Sequence, residues 1–383
     1  MGRDMKRLGA AIVGCGWVAD WHVADGMAHL PESFSVVACC DTSEEKLSAF
    51  AERYAIPNGC RSLDEVLALS EVDVVVICTP RALHFEMVMA ALGVDKHVIC
   101  EKPFASSLEQ VDAIRDAEKR SKGRVMPIFQ YRFGDGISRA RYAIQSGLVG
   151  RHFVSAIETA KKRGPDYYKV PWRGKFATEL GGVLLTQAIH IHDLLFWLIG
   201  PAAEVTCFKT TRVNPIEVED CAVAILRMAD GSLASLTATL GSARQVTRLR
   251  LSFENVTFEK QCFDDASRLG NEPWLVIPKD TEAGRALEQK MSEVGPQKTW
   301  FPRQYELFHS AIETGQPFPV TLADARASIE LITALFQSDE TGAAVKLPIG
   351  REHPKYAGWI PRQNGDTAAG PWTKTVSRVR LRT

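Results

Sequence analysis

A glycine-rich turn near the start of the chain constrains the fold more than any other feature of the sequence. The apolar run Leu8-Gly-Ala-Ala-Ile-Val13 is followed at once by Gly14-Cys-Gly16-Trp17-Val18-Ala19. Gly14 allows a tight turn, Gly16 lets the backbone approach a diphosphate, and Ala19 lets the next helix pack closely on the strand. The first turn of that helix presents unpaired N–H groups to phosphate oxygens. The motif therefore predicts a dinucleotide site, with Gly14, Gly16, Trp17 and Val18 as candidate contacts.

Short apolar runs alternate with helical patterns over the first 130 residues. The runs, which we interpret as buried strands, lie at 8–13, 34–40, 72–78, 97–100 and 125–130. Because they are continuously apolar rather than alternating, helices are expected to cover both faces of the sheet that they form. The pattern predicts an α/β fold class, with a doubly wound parallel sheet of the Rossmann type at residues 1–130.

After residue 131 the pattern changes to consecutive strands joined by hairpins. Strands are predicted near 153–159, 203–213, 219–229, 232–240, 246–254 and 256–261, and helices near 137–146, 302–313 and 323–340, with a long apolar helix ending at Gly200. Ala229-Asp230-Gly231 predicts a hairpin turn, because Asp-Gly tolerates the positive φ angles that such turns need. We expect a second α/β domain at residues 131–348 with an open, largely antiparallel sheet.

Composition and charge argue against several classes of protein. The 383 residues contain 46 Lys plus Arg and 46 Asp plus Glu, so the basic surplus of a nucleic-acid-binding protein is missing. The sequence contains no uninterrupted window of about 18 apolar residues, so no membrane span is predicted. The N-terminus does not resemble a secretory signal peptide. The nine cysteines are irregularly spaced, which favours reduced structural thiols over a metal site. We therefore expect a cytoplasmic protein with no metal, nucleic-acid or membrane partner.

A basic C-terminal extension is expected at residues 349–383. From Arg351 to Thr383 it carries seven Lys or Arg residues against two Asp or Glu residues. Such a segment is typical of a solvated arm. A nucleic-acid contact and a packing role across a domain or subunit seam are the alternatives.

The second predicted strand ends at Asp41-Thr42, which bears on the choice of cofactor. A carboxylate at this position accepts hydrogen bonds from the ribose hydroxyls of the adenosine half and repels a 2′-phosphate. No arginine follows directly to pair with such a phosphate. Asp41 and Thr42 therefore favour NAD over NADP, although Lys46 or Arg53 could reach back. A methyltransferase also uses a glycine-rich turn and an acidic strand end, so that alternative stays open here.

Two further segments carry groups suited to proton transfer. Glu101-Lys102-Pro103 follows the predicted strand 97–100, and the carboxyl ends of such strands line the ligand crevice. On a helix, Thr186, His190 and Asp193 share one face, so that His190 has neighbours to orient it. His192 points away from His190, which argues against a two-histidine metal site.

The chemistry of these groups fits hydride transfer from an alcohol. When hydride leaves a carbon, its hydroxyl loses a proton, so the site needs a base with a pKa near neutrality and a cation beside the developing alkoxide. His190 suits the first role at pH 7, and Lys102 suits the second. A methyltransferase needs neither group.

Together these motifs resemble the Gfo/Idh/MocA family, which includes glucose–fructose oxidoreductase and inositol dehydrogenase. The resemblance covers about residues 8–348 and rests on Ala11–Ala19, Cys78-Thr79-Pro80 with His84, Lys96–Pro103, Gly181-Gly182 and Gln187-Ala-Ile-His190 with Asp193. It implies NAD(P)-dependent oxidation or reduction of a secondary hydroxyl of a sugar, cyclitol, glycoside or anhydrosugar. It also implies a homodimer or homotetramer, because the open sheet often forms the subunit interface in this family.

The resemblance also implies roles for individual residues. Lys102 corresponds to the lysine that contacts the nicotinamide ribose and the substrate hydroxyl, and His190 to the general acid/base. Many members carry Asp where Thr186 stands; Thr186 can bind a sugar hydroxyl but cannot raise the pKa of His190. The implied cofactor-pocket residues are Thr79, Pro80, His84, Glu101, Lys102, Gln130, Trp172 and Arg173. The candidate substrate contacts are Lys102, Arg132, Tyr167, Tyr168, Trp172, Thr186, Gln187 and His190, with Lys102, His190 and Thr186 as the catalytic set.

The loop predicted at 161–178 is rich in aromatic and hydrogen-bonding side chains, a composition suited to gripping a polyhydroxylated ring. An ordinary solvated loop is the alternative for Lys161 to Arg163. A catalytically silent nucleotide- or sugar-sensing protein of the same fold is the second hypothesis for the whole chain. The presence of both Lys102 and His190 favours an enzyme.

Overall fold

A six-stranded parallel sheet occupies the N-terminal part of the protein, in a computed structural model that describes residues 6–264 and 269–360. Its strands are β1 (Leu8–Val13), β2 (Phe34–Cys40), β3 (Asn58–Cys60), β4 (Val74–Ile77), β5 (His97–Cys100) and β6 (Val125–Pro127). The helices between them are α1 (Trp17–Ala24), α2 (Glu44–Tyr54), α3 (Leu63–Ala68), α4 (His84–Gly93) and α5 (Leu108–Glu118). The strand order β3-β2-β1-β4-β5-β6 reverses direction between β1 and β4, which opens a crevice at the carboxyl ends of these strands. The predicted Rossmann-type domain is confirmed.

The apolar runs explain why this sheet forms. Every residue of β1 and of β4 is buried, as expected for strands with helices on both faces. Strand β3 was not predicted from the sequence, because its three residues include Asn58 and Gly59 and show no apolar run.

An eight-stranded mixed sheet dominates the second part of the chain. Its strands are β7 (His152–Lys162), β8 (Ala202–Thr210), β9 (Cys221–Met228), β10 (Leu233–Thr239), β11 (Gly241–Phe253), β12 (Val256–Phe263), β13 (Leu275–Pro278) and β14 (Val345–Lys346). In the order β13-β12-β11-β7-β10-β9-β8-β14, only the β7–β10 pair is parallel. The expected open, largely antiparallel sheet is confirmed, and the β9–β10 hairpin turns at Gly231 with φ +87°.

Helices cover one face of this sheet. The helices of this part are α6 (Asp135–Gln145), α7 (Phe176–Glu179), α8 (Ile189–Ile199), α9 (Thr281–Ser292), α10 (Trp300–Thr314) and α11 (Leu322–Thr341). Helices α8 and α11 pack on the sheet and on each other. Helix α9 was not predicted, because its sequence is mostly polar and Leu287 is its one buried side chain. The segment expected as a loop from Lys161 instead begins inside β7 and contains α7.

The stretch Phe176–Ile199 is long and apolar enough to cross a membrane by length and composition. Of its most apolar window, 78% is buried inside the fold. This degree of burial is typical of a helix in the core of a folded domain, so the stretch forms part of the interior.

The C-terminal extension was expected to be a solvated arm, and its described part packs instead against the body of the protein. Tyr356 donates a hydrogen bond through its hydroxyl to Asp112 on α5, at 2.7 Å. Trp359 is buried, and its Nε1 donates to the carbonyl of Leu180, also at 2.7 Å. Residues 351–360 therefore join the first domain to the segment before α8. The rest of the extension, residues 361–383, lies outside the described residues.

Candidate active site

A cleft of about 1100 Å³ lies between the carboxyl ends of the parallel strands and the second domain. All but two of the predicted site residues line it, and the exceptions are Arg132 and Tyr168. The lining includes Gly14, Gly16, Trp17, Val18, Asp41, Thr42, Thr79, Pro80, His84, Glu101, Lys102, Gln130, Tyr167, Trp172, Arg173, Thr186, Gln187 and His190. Residues that are as much as 176 positions apart in the chain thus share one crevice.

The glycine-rich turn has the shape that a diphosphate requires. Gly14 has φ +94°, and a Cβ there would lie 2.9 Å from the backbone of Cys78. A Cβ on Gly16 would meet no protein atom within 4 Å, so the backbone is open to the cleft. Ala19 is fully buried against the sheet. The N-terminus of α1 therefore faces open space beside a glycine backbone, which fits a dinucleotide.

The Asp41 carboxylate is fixed in the lining of this cleft, directly after β2. It accepts hydrogen bonds from the backbone N–H of Cys15, at 3.0 Å, and of Ser43, at 2.8 Å. Arg53 pairs with Asp20 and does not line the cleft. Lys46 does line it, as does Arg61, which the sequence did not indicate and which donates to the carbonyl of Thr42 at 2.8 Å.

Lys102 projects from the end of β5 toward the second domain. Its Nζ donates a hydrogen bond to the backbone carbonyl of Thr186 at 3.1 Å. Burial lowers the pKa of Lys102 to about 8, and the positive charges of Arg81 and Arg163 act in the same direction against the opposing charges of Glu101 and Glu179. Thr186 thus contributes its main chain to this region.

Two buried histidines support the loops around Lys102. A hydrogen bond of 3.0 Å joins His22 Nε2 to Glu101, and His22 Nδ1 lies 2.7 Å from the Tyr305 hydroxyl. His84 lies within hydrogen-bonding distance of the carbonyls of Pro103, at 2.9 Å, and Thr79, at 3.0 Å. The hydrogen bonds of His22 were not apparent from the sequence, because Glu101 and Tyr305 are distant from it along the polypeptide.

His190 reaches the cleft from the first turn of α8. Its ring stacks on Tyr131 with the centroids 4.4 Å apart and an interplanar angle of 19°. Burial lowers the pKa of His190 well below its usual value, and the charges of Lys102 and Lys161 add to this effect. The imidazole is therefore neutral at pH 7.

The expectation that Asp193 orients His190 is wrong. His190 Nδ1 is buried without a hydrogen-bond partner, whereas Asp193 accepts from Arg132 Nε at 2.7 Å. The helix also widens to a π-helical turn at Leu184–Ala188, immediately before His190. Regular helical spacing, on which the expectation depended, does not hold over this stretch.

Arg132 was a candidate substrate contact, but the structure places it elsewhere. It is 3% exposed, does not line the cleft, and also contacts Asp324 of α11 at 3.0 Å. Both carboxylates compensate its buried charge, so Arg132 joins the turn after β6 to α8 and α11.

Gly182 shows why glycine precedes this helix. A Cβ on Gly182 would lie 1.7 Å from the carbonyl oxygen of Glu219. The Glu219 side chain accepts hydrogen bonds from the N–H groups of Gly182, at 2.9 Å, and Leu184, at 3.2 Å. Burial raises the pKa of Glu219 to about 7. Glu219 thus holds the start of the helical stretch that carries His190, a role that no local motif indicates.

The second domain supplies an aromatic and basic wall. The Arg173 guanidinium lies over the Tyr167 ring, 3.7 Å from its centroid. Arg81, which directly follows Thr79-Pro80, pairs with Glu179 at 3.3 Å and joins the two domains at the cleft. Tyr168 is half-buried beside this wall and outside the cleft lining. The position of Arg81 after a strand end is a sequence signal that could have identified it.

Cysteines and candidate metal ligands are scattered rather than clustered. All nine cysteines are free thiols, eight of them buried. Within residues 6–264 and 269–360, no group of three or more His, Cys, Asp or Glu side chains is arranged to hold a metal ion.

Comparisons with known proteins agree with this architecture. The oxidoreductase family model with an NAD-binding Rossmann fold matches residues 8–129, and the GFO/IDH/MocA C-terminal domain model matches residues 137–259. The chain is 26% identical to D-glucoside 3-dehydrogenase of Escherichia coli over 364 residues, covering 89% of this chain and 97% of that protein. It is 23% identical to myo-inositol 2-dehydrogenase of Thermotoga maritima, covering 88% and 97%.

A solved structure shows the same arrangement of domains. The WlbA dehydrogenase from Bordetella pertussis, in complex with NADH and UDP-GlcNAcA, superposes with a TM-score of 0.79 at 25% identity, over 90% of this chain and 100% of that chain. The paired family models, the glycine-rich turn and the lysine–histidine cleft lead to one conclusion: the chain belongs to the Gfo/Idh/MocA family of oxidoreductases.

Proposed function

We propose that this protein is an NAD-dependent dehydrogenase that transfers hydride to or from a secondary hydroxyl carbon of a sugar, cyclitol, glycoside or anhydrosugar. The observation that carries the proposal is that Lys102 and His190 line the same cleft as the glycine-rich turn and Asp41. Relatives named as a D-glucoside, a myo-inositol and a levoglucosan dehydrogenase support the substrate class.

Different residues of the protein have different roles in the proposed reaction. The Gly14–Ala19 turn receives the diphosphate and Asp41 the adenosine ribose, which positions NAD, the hydride carrier. The Lys102 ammonium stabilises the negative charge that develops on the substrate oxygen. The neutral imidazole of His190 accepts the hydroxyl proton, and it returns the proton when the reaction runs in reverse.

The proposal is tested by following the absorbance of reduced nicotinamide with NAD and a panel of monosaccharides, inositols, glycosides and anhydrosugars. NADH formation with one class of polyol is the expected result. NAD binding by calorimetry without turnover on any member of the panel would favour the silent sensor instead. Absence of both binding and turnover would refute the dinucleotide site itself.

Replacing Asp41 by alanine is expected to lower kcat/KM for NAD about tenfold to a hundredfold, the loss expected for hydrogen bonds to a charged group. The NAD-to-NADP preference falls as well, because the repulsion of a 2′-phosphate is removed. The measurement is steady-state kinetics with both cofactors. Asp41→Asn, which keeps the size of the side chain, tests the charge separately.

Glu45 is exposed on α2, so Glu45→Ala provides the control. An unchanged cofactor preference in Asp41→Ala would contradict the role assigned to Asp41.

We also propose that the protein assembles as a homodimer or homotetramer through the open face of the second sheet. Phe208 on β8 lies directly opposite Val223 on β9, and they are 73% and 55% exposed. Ile225, two residues further along β9 on the same face, is 61% exposed. A contiguous apolar patch of this kind is costly in water and suits a self-complementary contact.

The double variant Phe208→Asp/Ile225→Asp is expected to dissociate the oligomer into monomers. Charges on both strands oppose burial of the face between two copies, since an unpaired buried carboxylate is strongly unfavourable. Sedimentation velocity measures the outcome, with Val94→Asp as the control because Val94 is 48% exposed in the first domain. A monomeric wild-type protein, or a double variant with the wild-type mass, would refute this interface.

We assign the protein to the cytoplasm. The nine free thiols support this, because disulfides form and persist in oxidising compartments.

A further inference from the structure

Among the residues that the structure describes, two arginines lack a carboxylate partner at the end of the cleft that holds Lys102 and His190. The basic side chains that line this end are Lys102, Lys161, Arg163 and Arg173. The described carboxylates near this end contact groups other than these two arginines. Glu101 contacts His22 at 3.0 Å, and Asp264 contacts Arg244 at 3.1 Å. Glu179 pairs with Arg81 at 3.3 Å.

The cofactor does not compensate the charge of these two arginines. Its diphosphate belongs at the Gly14–Ala19 turn, beside the N-terminus of α1. The oxidised nicotinamide ring that reacts is itself a cation. Within the described residues, Arg163 and Arg173 form no ion pair with a carboxylate, and both line the cleft that holds Lys102 and His190.

Each of the two arginines has N–H donors that are not used in hydrogen bonds within the described residues. Arg163 donates from Nη1 to the Lys162 carbonyl and to Gln245 Oε1, each at 2.9 Å. Arg173 donates from Nη1 to the Tyr167 carbonyl at 3.2 Å. The Nε of each arginine is buried and has no partner.

Tyr167 aligns both guanidinium groups. Their central carbons lie 5.2 Å and 3.7 Å from the centroid of its ring, for Arg163 and Arg173 respectively. Planar guanidinium groups bind carboxylate and phosphoryl oxygens in a bidentate manner. Lys161 lines the same wall, where its Nζ donates to Thr247 Oγ1 at 3.2 Å.

We infer that the physiological substrate is an anionic sugar, whose carboxylate or phosphoryl group is bound by Arg163 and Arg173 while a hydroxyl of the same molecule faces Lys102 and His190. This inference rests on the proposed function for the identity of the reacting group. Arg163 is close enough to Lys102 to lower its pKa, so the anion site adjoins the reacting position. A bound anion there offsets the mutual repulsion of the basic groups.

The inference is tested first by calorimetry on the protein–NADH complex with three probes, methyl glucoside, glucuronate and glucose 6-phosphate. At least one of the anions is expected to bind about tenfold or more tightly than the neutral glycoside, because charged groups strengthen hydrogen bonds. Comparison of the two anions shows whether the site takes a carboxylate or a phosphoryl group. Equal or weaker binding of both anions would overturn the inference.

Arg163 provides the decisive variant, because no cofactor contact is predicted for it. Arg163→Gln is expected to reduce the ratio of anion to neutral affinity about tenfold. Arg163→Lys, which keeps the charge and loses the planar fork, is expected to give an intermediate ratio. Arg120 is exposed at the end of α5 and outside the cleft, so Arg120→Gln is expected to retain the wild-type ratio. A wild-type ratio in folded Arg163→Gln protein would also overturn the inference.

The same probes and the neutral polyol panel, assayed for NADH formation, separate this inference from the proposed function. Turnover of neutral sugars without anion preference refutes the anion site and leaves the dehydrogenase activity standing. Arg163-dependent anion binding without any turnover supports the anion site and refutes the dehydrogenase activity.

Discussion

Replacing Lys102 by methionine is expected to lower kcat for sugar oxidation at least about a hundredfold, the scale seen when one donor to a developing oxyanion is removed. Methionine has a similar length and no charge, so it can occupy the half-buried position of Lys102 without the ammonium group. The measurement is steady-state NADH formation, with thermal unfolding followed by circular dichroism to verify the fold. Near-normal turnover in a folded variant would exclude the role assigned to Lys102.

The pH dependence of kcat/KM identifies which form of Lys102 is active. With a pKa of about 8, the ammonium is present below pH 8 and is lost as the pH rises through that value. If the cation stabilises the alkoxide, kcat/KM falls above about pH 8, and Lys102→Met lacks this limb. A kcat/KM that rises through pH 8 would instead make the neutral amine the base. Lys102→Met also raises the pKa of His190, because it removes a charge that lowers it.

A matched lysine controls for loss of a basic side chain. Lys96 directly precedes β5, at the opposite end of the strand from Lys102, and does not line the cleft. Its Nζ donates to the carbonyls of Leu69, at 3.1 Å, and Val72, at 2.6 Å. Lys96→Met is therefore expected to change stability more than turnover.

Replacing His190 by alanine is expected to lower kcat about a hundredfold to ten-thousandfold, the usual contribution of a positioned acid/base group. The imidazole is the proton acceptor in the proposed reaction, and burial together with Lys102 and Lys161 keeps it neutral at pH 7. The acidic limb of kcat/KM is consequently expected below pH 6.5, where protonation removes the base. His190→Ala is expected to abolish that limb, as measured by steady-state kinetics between pH 4.5 and 7.

His192 provides the matched control on the same helix. It is buried, does not line the cleft, and burial lowers its pKa to about 3. His192→Asn therefore tests the effect of disturbing the helix without removing the base. Equal losses of kcat in the folded His190 and His192 variants would show that the helix, rather than the imidazole, carries the effect.

The sequence predicted the first domain well because its signals are local. Gly14 needs φ +94° for a tight turn, and the continuous apolar runs of β1 and β4 need burial on both faces. The same reasoning placed Lys102 at a strand end in the crevice. The helix α9 and the strand β3 were not predicted, because α9 is mostly polar and β3 has only three residues with no apolar run.

The sequence by itself thus determined the two sheets, the dinucleotide turn and the two residues to which we assign the proton-transfer chemistry. Only the tertiary structure decided how they are partnered. Lys102 meets a carbonyl 84 residues away, and Arg132 takes the carboxylate of Asp193 that was expected to orient His190. Turn and strand signals arise from neighbours in the chain, whereas ion pairs and pKa values depend on burial and on distances between remote segments. Those distances exist only once the two domains have packed together.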